Sequence, residues 1–190
     1  MLAIGNGESR THVNIDNLDY VKVGCNAILR DYAVDHLICV DKRMLDEALA
    51  ANLAYTKIYT RSERVAYYNT TYSVPKLPYN GTKRPDDPIH WGSGPYAVLL
   101  AATLCNDRTV RLLGFDLHST THTVNNVYKG SNNYADVNSR AVDASYWVYQ
   151  IAKVFECFPS TEFIIHQMDT WTLPQAWIKP NVMVDTISNL

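Results

Sequence analysis

The sequence predicts an α/β fold, a three-layer sandwich in which a mainly parallel sheet carries helices on both faces. Short apolar strands and helical stretches alternate four times before residue 61. The run His36-Leu-Ile-Cys-Val40 is almost continuously apolar, as a strand covered on both faces must be. Nearly every predicted strand also finishes in glycine or polar residues, the end at which open parallel sheets keep their chemistry.

Leu2 to Ile4 is the first strand, and it runs into Gly5-Asn6-Gly7-Glu8-Ser9, a glycine turn closed by a capping-type serine. A short irregular helix is expected around Ile15 to Leu18, a second strand from Tyr20 to Cys25, and a short helix from Ala27 to Tyr32. The strand His36 to Val40 ends in Asp41-Lys42-Arg43. Met44 to Asn52 has helical spacing, with Leu45, Ala48 and Leu49 on one face, and Lys57 to Thr60 is another short strand. From residue 61 to 89 the pattern dissolves into a stretch rich in Tyr, Thr, Asn and Pro, read as an irregular insertion. Gly92-Ser93-Gly94 then opens an apolar helix, and Val110 to Leu113 is a buried strand that delivers Gly114, Asp116 and His118 to its carboxyl end. A second irregular insertion spans about 119 to 138, and the two insertions are expected to form a small lid. Ala141 to Phe158 reads as an amphipathic helix, Glu162 to Ile165 as a last strand, and Trp171 to Trp177 as a packed turn.

A length of 190 residues suits one domain spanning 1 to 190. Seventeen Lys and Arg against 19 Asp and Glu leave a formal charge of -2, which provides no global field for a nucleic-acid backbone. No apolar run is long enough to span a bilayer, and the first residues are too short an apolar stretch for a signal peptide. The four cysteines lack a Cys-x-x-Cys pair and read as buried reduced thiols, so a cytoplasmic location is expected. A homo-oligomer is compatible with this composition. Thirteen tyrosines are the compositional oddity, several of them in loops where a base, sugar or peptide could stack.

The chemistry is expected at the strand ends. Gly92, Ser93 and Gly94 can bring backbone N–H groups close to a ligand, and the helix behind them aims its positive dipole end at the same place, so an anion is the natural guest. Asn6 and Asn26 suit a ribose, base or sugar, and Lys42 beside Asp41 suits a phosphate. Asp116 closes a buried strand, where an unpaired charge is costly. His118 and His122 are candidates for general acid or base work, because histidine is the side chain that changes charge near neutral pH. Asp116-x-His118-x-x-x-His122 lies in a loop, without the helical regularity that makes such spacing a metal motif, and no metal site is predicted. His166 is a further candidate. No Gly-x-Ser-x-Gly elbow, Walker A loop or Asp-x-Asp motif occurs.

The series Ile4-Gly-Asn-Gly-Glu-Ser9, Gly24-Cys-Asn26, Val40-Asp41, Gly92-Ser-Gly94 with its helix, and Leu112-Leu-Gly-Phe-Asp116 covers about two thirds of the chain in order. It resembles a group of Rossmann-like proteins: the Campylobacter-type sialyltransferases and the 6-hydroxymethylpterin diphosphokinase (MptE-like) proteins with their motility-accessory relatives. The short, tyrosine-rich version is similar to proteins of tailed phages, which would place it in the host cytoplasm. The resemblance implies a nucleotide-sugar-dependent glycosyltransferase acting on an acceptor hydroxyl, with a CMP- or UDP-linked donor and no tightly bound cofactor. It puts Asn6, Gly7, Ser9 and Asn26 on the donor, and Gly5, Glu8, Asp41 and Lys42, read from their places at the strand ends, are counted with them as donor-binding candidates. Ser93 and Gly94, preceded by Gly92, fall on its phosphate side, and Tyr128 and Tyr134 are loose stand-ins for a phosphate-binding tyrosine pair. The family's own base is a histidine beyond a larger lid, and here His118 occupies the place of an aromatic phosphate contact. The alternatives are an ATP-dependent pyrophosphokinase, which needs magnesium, and a non-catalytic nucleotide-binding protein.

Overall fold

A computed structural model describes residues 1 to 190 apart from Asn52, Asn106, Asp107 and residues 119 to 121. The expected helix end at Asn52 and the start of the second insertion lie outside the described residues. Eight strands form one sheet: β1 (Leu2–Ile4), β2 (Lys22–Cys25), β3 (His36–Ile38), β4 (Lys57–Thr60), β5 (Tyr72–Ser73), β6 (Thr109–Leu113), β7 (Glu162–Gln167) and β8 (Val182–Thr186). Their spatial order is β5-β4-β3-β2-β1-β6-β7-β8, and every neighbouring pair is parallel. The fold is the α/β, Rossmann-like sandwich that the sequence predicts. Chain order runs outward in one direction from β1 to β5 and in the other from β6 to β8. The sheet therefore has its topological switch between β1 and β6.

The period-2 alternation of strands sorts their side chains between two cores. Ala3, Val23, Ile38, Leu112 and Phe163 face α3 (Ser93–Leu104) and α4 (Ser145–Cys157). Leu2, Ile4, Leu37 and Leu113 face α1 (Lys42–Ala50) and the turns that follow β1 and β2. Helix α3 packs against β1, β2 and β3 on one side and α4 on another. It is accordingly apolar around most of its circumference, with nine of its twelve residues buried. No helix among the described residues is long and apolar enough to cross a membrane.

Several boundaries differ from expectation. Residues Glu8–His12, Ile15–Asn17 and Asn26–Arg30 are 3-10 turns rather than α-helices. Helix α4 begins at Ser145 rather than Ala141, since Asp143 accepts the Ser145 N–H at 2.9 Å and the Ser145 hydroxyl at 3.0 Å. The stretch read as an irregular insertion from 61 to 89 holds the short helix α2 (Ser62–Val65), β5 and two proline-led 3-10 turns, Arg84–Asp86 and Pro88–His90. The tail after the packed turn supplies the edge strand β8, which the sequence reading did not contain.

Candidate nucleotide site

Two backbones meet at the switch point. The Gly5 N–H donates to Leu113 O and the Gly7 N–H to Gly114 O, both at 2.8 Å. A Cβ on Gly5 would lie 2.3 Å from Gly114 O, and Gly114 itself sits at φ +74°, so neither position accepts a side chain. Gly7 plays a different part. A Cβ there would fall within 2.5 to 2.7 Å of the Asp116 carboxylate. That carboxylate accepts the Ser9 N–H at 2.8 Å, the Ser9 hydroxyl, and Gln167 Nε2 at 3.1 Å. Asp116 is buried, and its charge is spent on clamping the β1 turn to β6.

Arg10, 2% exposed, braces the same turn from behind. It donates to Gly5 O (3.1 Å), Asn6 Oδ1 (2.9 Å), Asp31 (3.2 Å) and the Tyr128 hydroxyl (2.6 Å). Asn6 Nδ2 in turn donates to the Tyr134 hydroxyl at 3.3 Å. Burial raises both tyrosine hydroxyls well above their ordinary range, so both remain protonated.

Beyond these clamps opens a cleft of about 230 Å³ lined by Gly5, Asn6, Gly7, Asn26, Asp41, Gly92, Ser93, Gly94 and Asp116, together with Phe115, Asn125, Asn126 and Trp147. Nine of the residues singled out from sequence thus converge. The Ser93 hydroxyl accepts the Val40 N–H at 3.2 Å, which fixes the start of α3 against the end of β3. The first-turn N–H groups of Ser93 and Gly94 have no intrahelical acceptor, and Pro95 has no N–H to offer. Asn26 stands in the left-handed region at φ +54°, and its buried Oδ1 accepts no hydrogen bond among the described residues. Asp41 is exposed and makes no side-chain capping bond with α1. Cys25 also lines the cleft, but burial pushes its thiol up to about 12, which keeps it protonated and poorly nucleophilic.

A second, more open cavity of about 840 Å³ adjoins the first and shares Asp116, Asn125 and Asn126 with it. Glu8, Ser9, His12, His118 and Trp171 line it. Asn125 is the hinge of the pair: its Oδ1 accepts the Glu8 N–H at 2.8 Å and its Nδ2 donates to His118 O at 3.0 Å. The insertion that carries Asn125 is tied to the β1 turn by Val127 N–H to Asn6 O at 2.9 Å and closed by a bridge between Thr123 and Arg140.

The other sequence candidates lie elsewhere. Lys42 pairs with Asp46 one turn further along α1, at 2.6 Å on the exposed face, and does not line the cleft. Tyr128 is buried under the β1 turn, where Arg10 and Asp31 hold its hydroxyl, and it lines neither the cleft nor the adjoining cavity. Tyr134 reaches only a side recess of about 170 Å³ and serves to hold Asn6. His122 is exposed beside the Thr123 bridge and lines none of these cavities. Glu8 and Ser9 sit in the second cavity rather than the first, Glu8 paired with Lys129. His166 is buried in the sheet between Arg111 and Thr186, away from both cavities.

Sequence reasoning missed Arg10, His12, Asn125, Asn126, Trp147 and Trp171. Trp147 was absorbed into the apolar face of the helix and Trp171 into the packed turn. Among the described residues no three His, Cys, Asp or Glu side chains are grouped so as to ligate a metal ion. Comparisons with models of known families, with curated proteins and with solved structures find no match to this chain.

Proposed function

We propose that the chain binds a nucleotide-linked sugar in the switch-point cleft and transfers its glycosyl group to a hydroxyl-bearing acceptor held in the adjoining cavity. The observation that carries this reading is the shared seam: one cavity has the helix end suited to a phosphate, the other holds exposed histidine, and Asp116, Asn125 and Asn126 belong to both. A protein that only bound nucleotide would need the first cavity alone.

In this reading the donor phosphate lies against the Ser93 and Gly94 N–H groups at the positive end of α3. Asn26 Oδ1 takes a hydrogen bond from a ribose hydroxyl or a base N–H, and Asp41 accepts from a ribose hydroxyl. Neither Lys nor Arg lines the cleft, whereas two carboxylates do. That balance favours a donor with one phosphate, such as a CMP-linked sugar, over a UDP-linked one. His118 takes the acceptor proton, the acceptor oxygen bonds to the anomeric carbon, and the bond from that carbon to the phosphate oxygen breaks with its electron pair leaving on the nucleotide. Fixed N–H donors at the departing phosphate supply the electrostatic part of the catalysis.

The test is incubation with CMP- and UDP-linked sugars in the presence of EDTA, following release of free nucleotide. Release in chelator that falls at least tenfold in His118→Ala supports glycosyl transfer. Strict dependence on magnesium, with AMP formed from ATP, would instead establish the pyrophosphokinase alternative.

A further inference from the structure

We infer that the second cavity is a site for an uncharged, hydroxyl-rich ring, of the kind a pyranoside presents, seated against Trp171. The inference rests on the proposed transfer reaction only for the name acceptor; the binding site stands on its own geometry.

Three observations point to this ligand class. The first is the wall. Trp171 is half-buried and held in place by its own Nε1–H, which donates to Asp116 O at 3.0 Å, so the indole edge is anchored while the residue lines the cavity. An anchored indole offers an apolar plane to the C–H face of a sugar ring at little entropic cost. The second is charge. Glu8 and Lys129 neutralise each other across the cavity, and the Asp116 carboxylate is engaged by Ser9 and Gln167. The lining carries no other carboxylate, lysine or arginine, so an anion finds no free cation there, and the one carboxylate without an ionic partner, Asp116, is buried with both oxygens already hydrogen-bonded. The third is hydrogen bonding. Thr170 and Thr172 are exposed there, beside the imidazoles of His12 and His118, a set of groups that donate and accept and so match hydroxyls.

The geometry also brings His12 to this cavity, from the end of the turn Glu8–His12, alongside His118 at the end of β6. Either imidazole can meet a ligand hydroxyl, and His12 is therefore a binding residue that spacing along the chain gave no reason to pair with His118.

The experiment is calorimetric titration of the full chain with neutral methyl hexopyranosides and, in parallel, with hexuronic acids and with CMP. Saturable binding of at least one neutral glycoside is expected, with the uronic acids at least fivefold weaker. Trp171→Ala should weaken the glycoside at least tenfold. Because that change also removes a structural hydrogen bond, Thr170→Trp serves as the second variant: it fills the cavity from an exposed position, and should abolish glycoside binding while leaving CMP affinity within twofold. Absence of binding by every neutral glycoside, preference for the uronic acids, or binding indifferent to Thr170→Trp would overturn the inference. CMP binding without glycoside binding overturns this site alone; glycoside binding without CMP binding overturns the nucleotide reading and leaves this site intact.

Discussion

Gly7 sets the tightest steric condition in the cleft. Its backbone torsions are ordinary, at φ -64° and ψ 150°, so the requirement for glycine comes from the Asp116 carboxylate alone. Gly7→Ala forces that carboxylate off Ser9 and Gln167, and a loss of about 1–3 kcal/mol of stability is expected, measured by denaturant unfolding. Asn26 shows the opposite balance. Its left-handed torsion suits glycine, and its Oδ1 makes no hydrogen bond among the described residues. Asn26→Gly relieves the torsion and frees the unfolded chain by comparable amounts, so Tm should move by only about 2 °C. Nucleotide affinity should meanwhile fall about 3- to 10-fold, the value of one hydrogen bond. A variant that lost Tm but kept affinity would make Asn26 a turn residue and nothing more. These two positions were legible in sequence because glycine and asparagine recur together at the ends of successive predicted strands, although each alone is an ordinary turn residue. Arg10 was not: it precedes no motif, and its role depends on Asp31 and Tyr128, which are brought to it only by the fold.

Helix α3 carries the phosphate side of the site, and its composition explains how. Burial of most of its surface holds the helix rigidly, and the Ser93 hydroxyl pins its first turn to Val40. At Gly94 a Cβ would meet only Phe115, at an ordinary 3.7 Å. Gly94→Ala should therefore raise Tm by roughly 2–4 °C through helix propensity of up to about 1 kcal/mol. It should also weaken nucleotide binding, because the added methyl group stands in the cleft beside Phe115. A thermal melt and a titration of the same sample check both signs. Elements with a strong apolar period, β1, β3, β6, β7 and α3, were readable because each buries both faces or nearly so. Strand β8 escaped because Met183 and Val184 are exposed on the edge of the sheet, so no alternation marks them, and β5 escaped because two residues are too few to carry a period. The start of α4 was placed too early because Ala141 and Val142 continue the apolar pattern, while Asp143, which accepts the Ser145 N–H and hydroxyl, turns the chain just before the helix.

Across the entire chain, the reversal of strand order between β1 and β6 is what turns a list of polar strand ends into a cleft. It gathers residues from the ends of β1, β2, β3 and β6 around the first turn of α3, which is why nine sequence candidates meet although they span more than a hundred positions. The insertions obeyed no such rule, and Asn125 and Asn126 became visible only once the second insertion was seen lying on the β1 turn. The sheet also carries a pH dependence. His166 is wholly buried, and since Arg111 can only donate, its contact at 3.1 Å makes His166 Nε2 an acceptor and leaves Nδ1–H for Thr186 O. Burial and the neighbouring guanidinium charge lower its pKa below the ordinary 6.5. The unfolded chain then binds the proton more readily than the folded one, so this contribution to stability is complete above about pH 6.5 and is lost as pH falls below it. Tm should drop between pH 7 and pH 5, and His166→Gln, which keeps an acceptor for Arg111, should flatten that slope.

The central claim is a nucleotide in the switch-point cleft, and calorimetric titration of the full chain with CMP, UDP, GDP and ATP tests it most directly. Saturable binding is expected, tightest for the monophosphate and weakened by both Asn26→Gly and Gly94→Ala. No binding by any of the four at millimolar concentration, or binding that neither substitution alters, would contradict it.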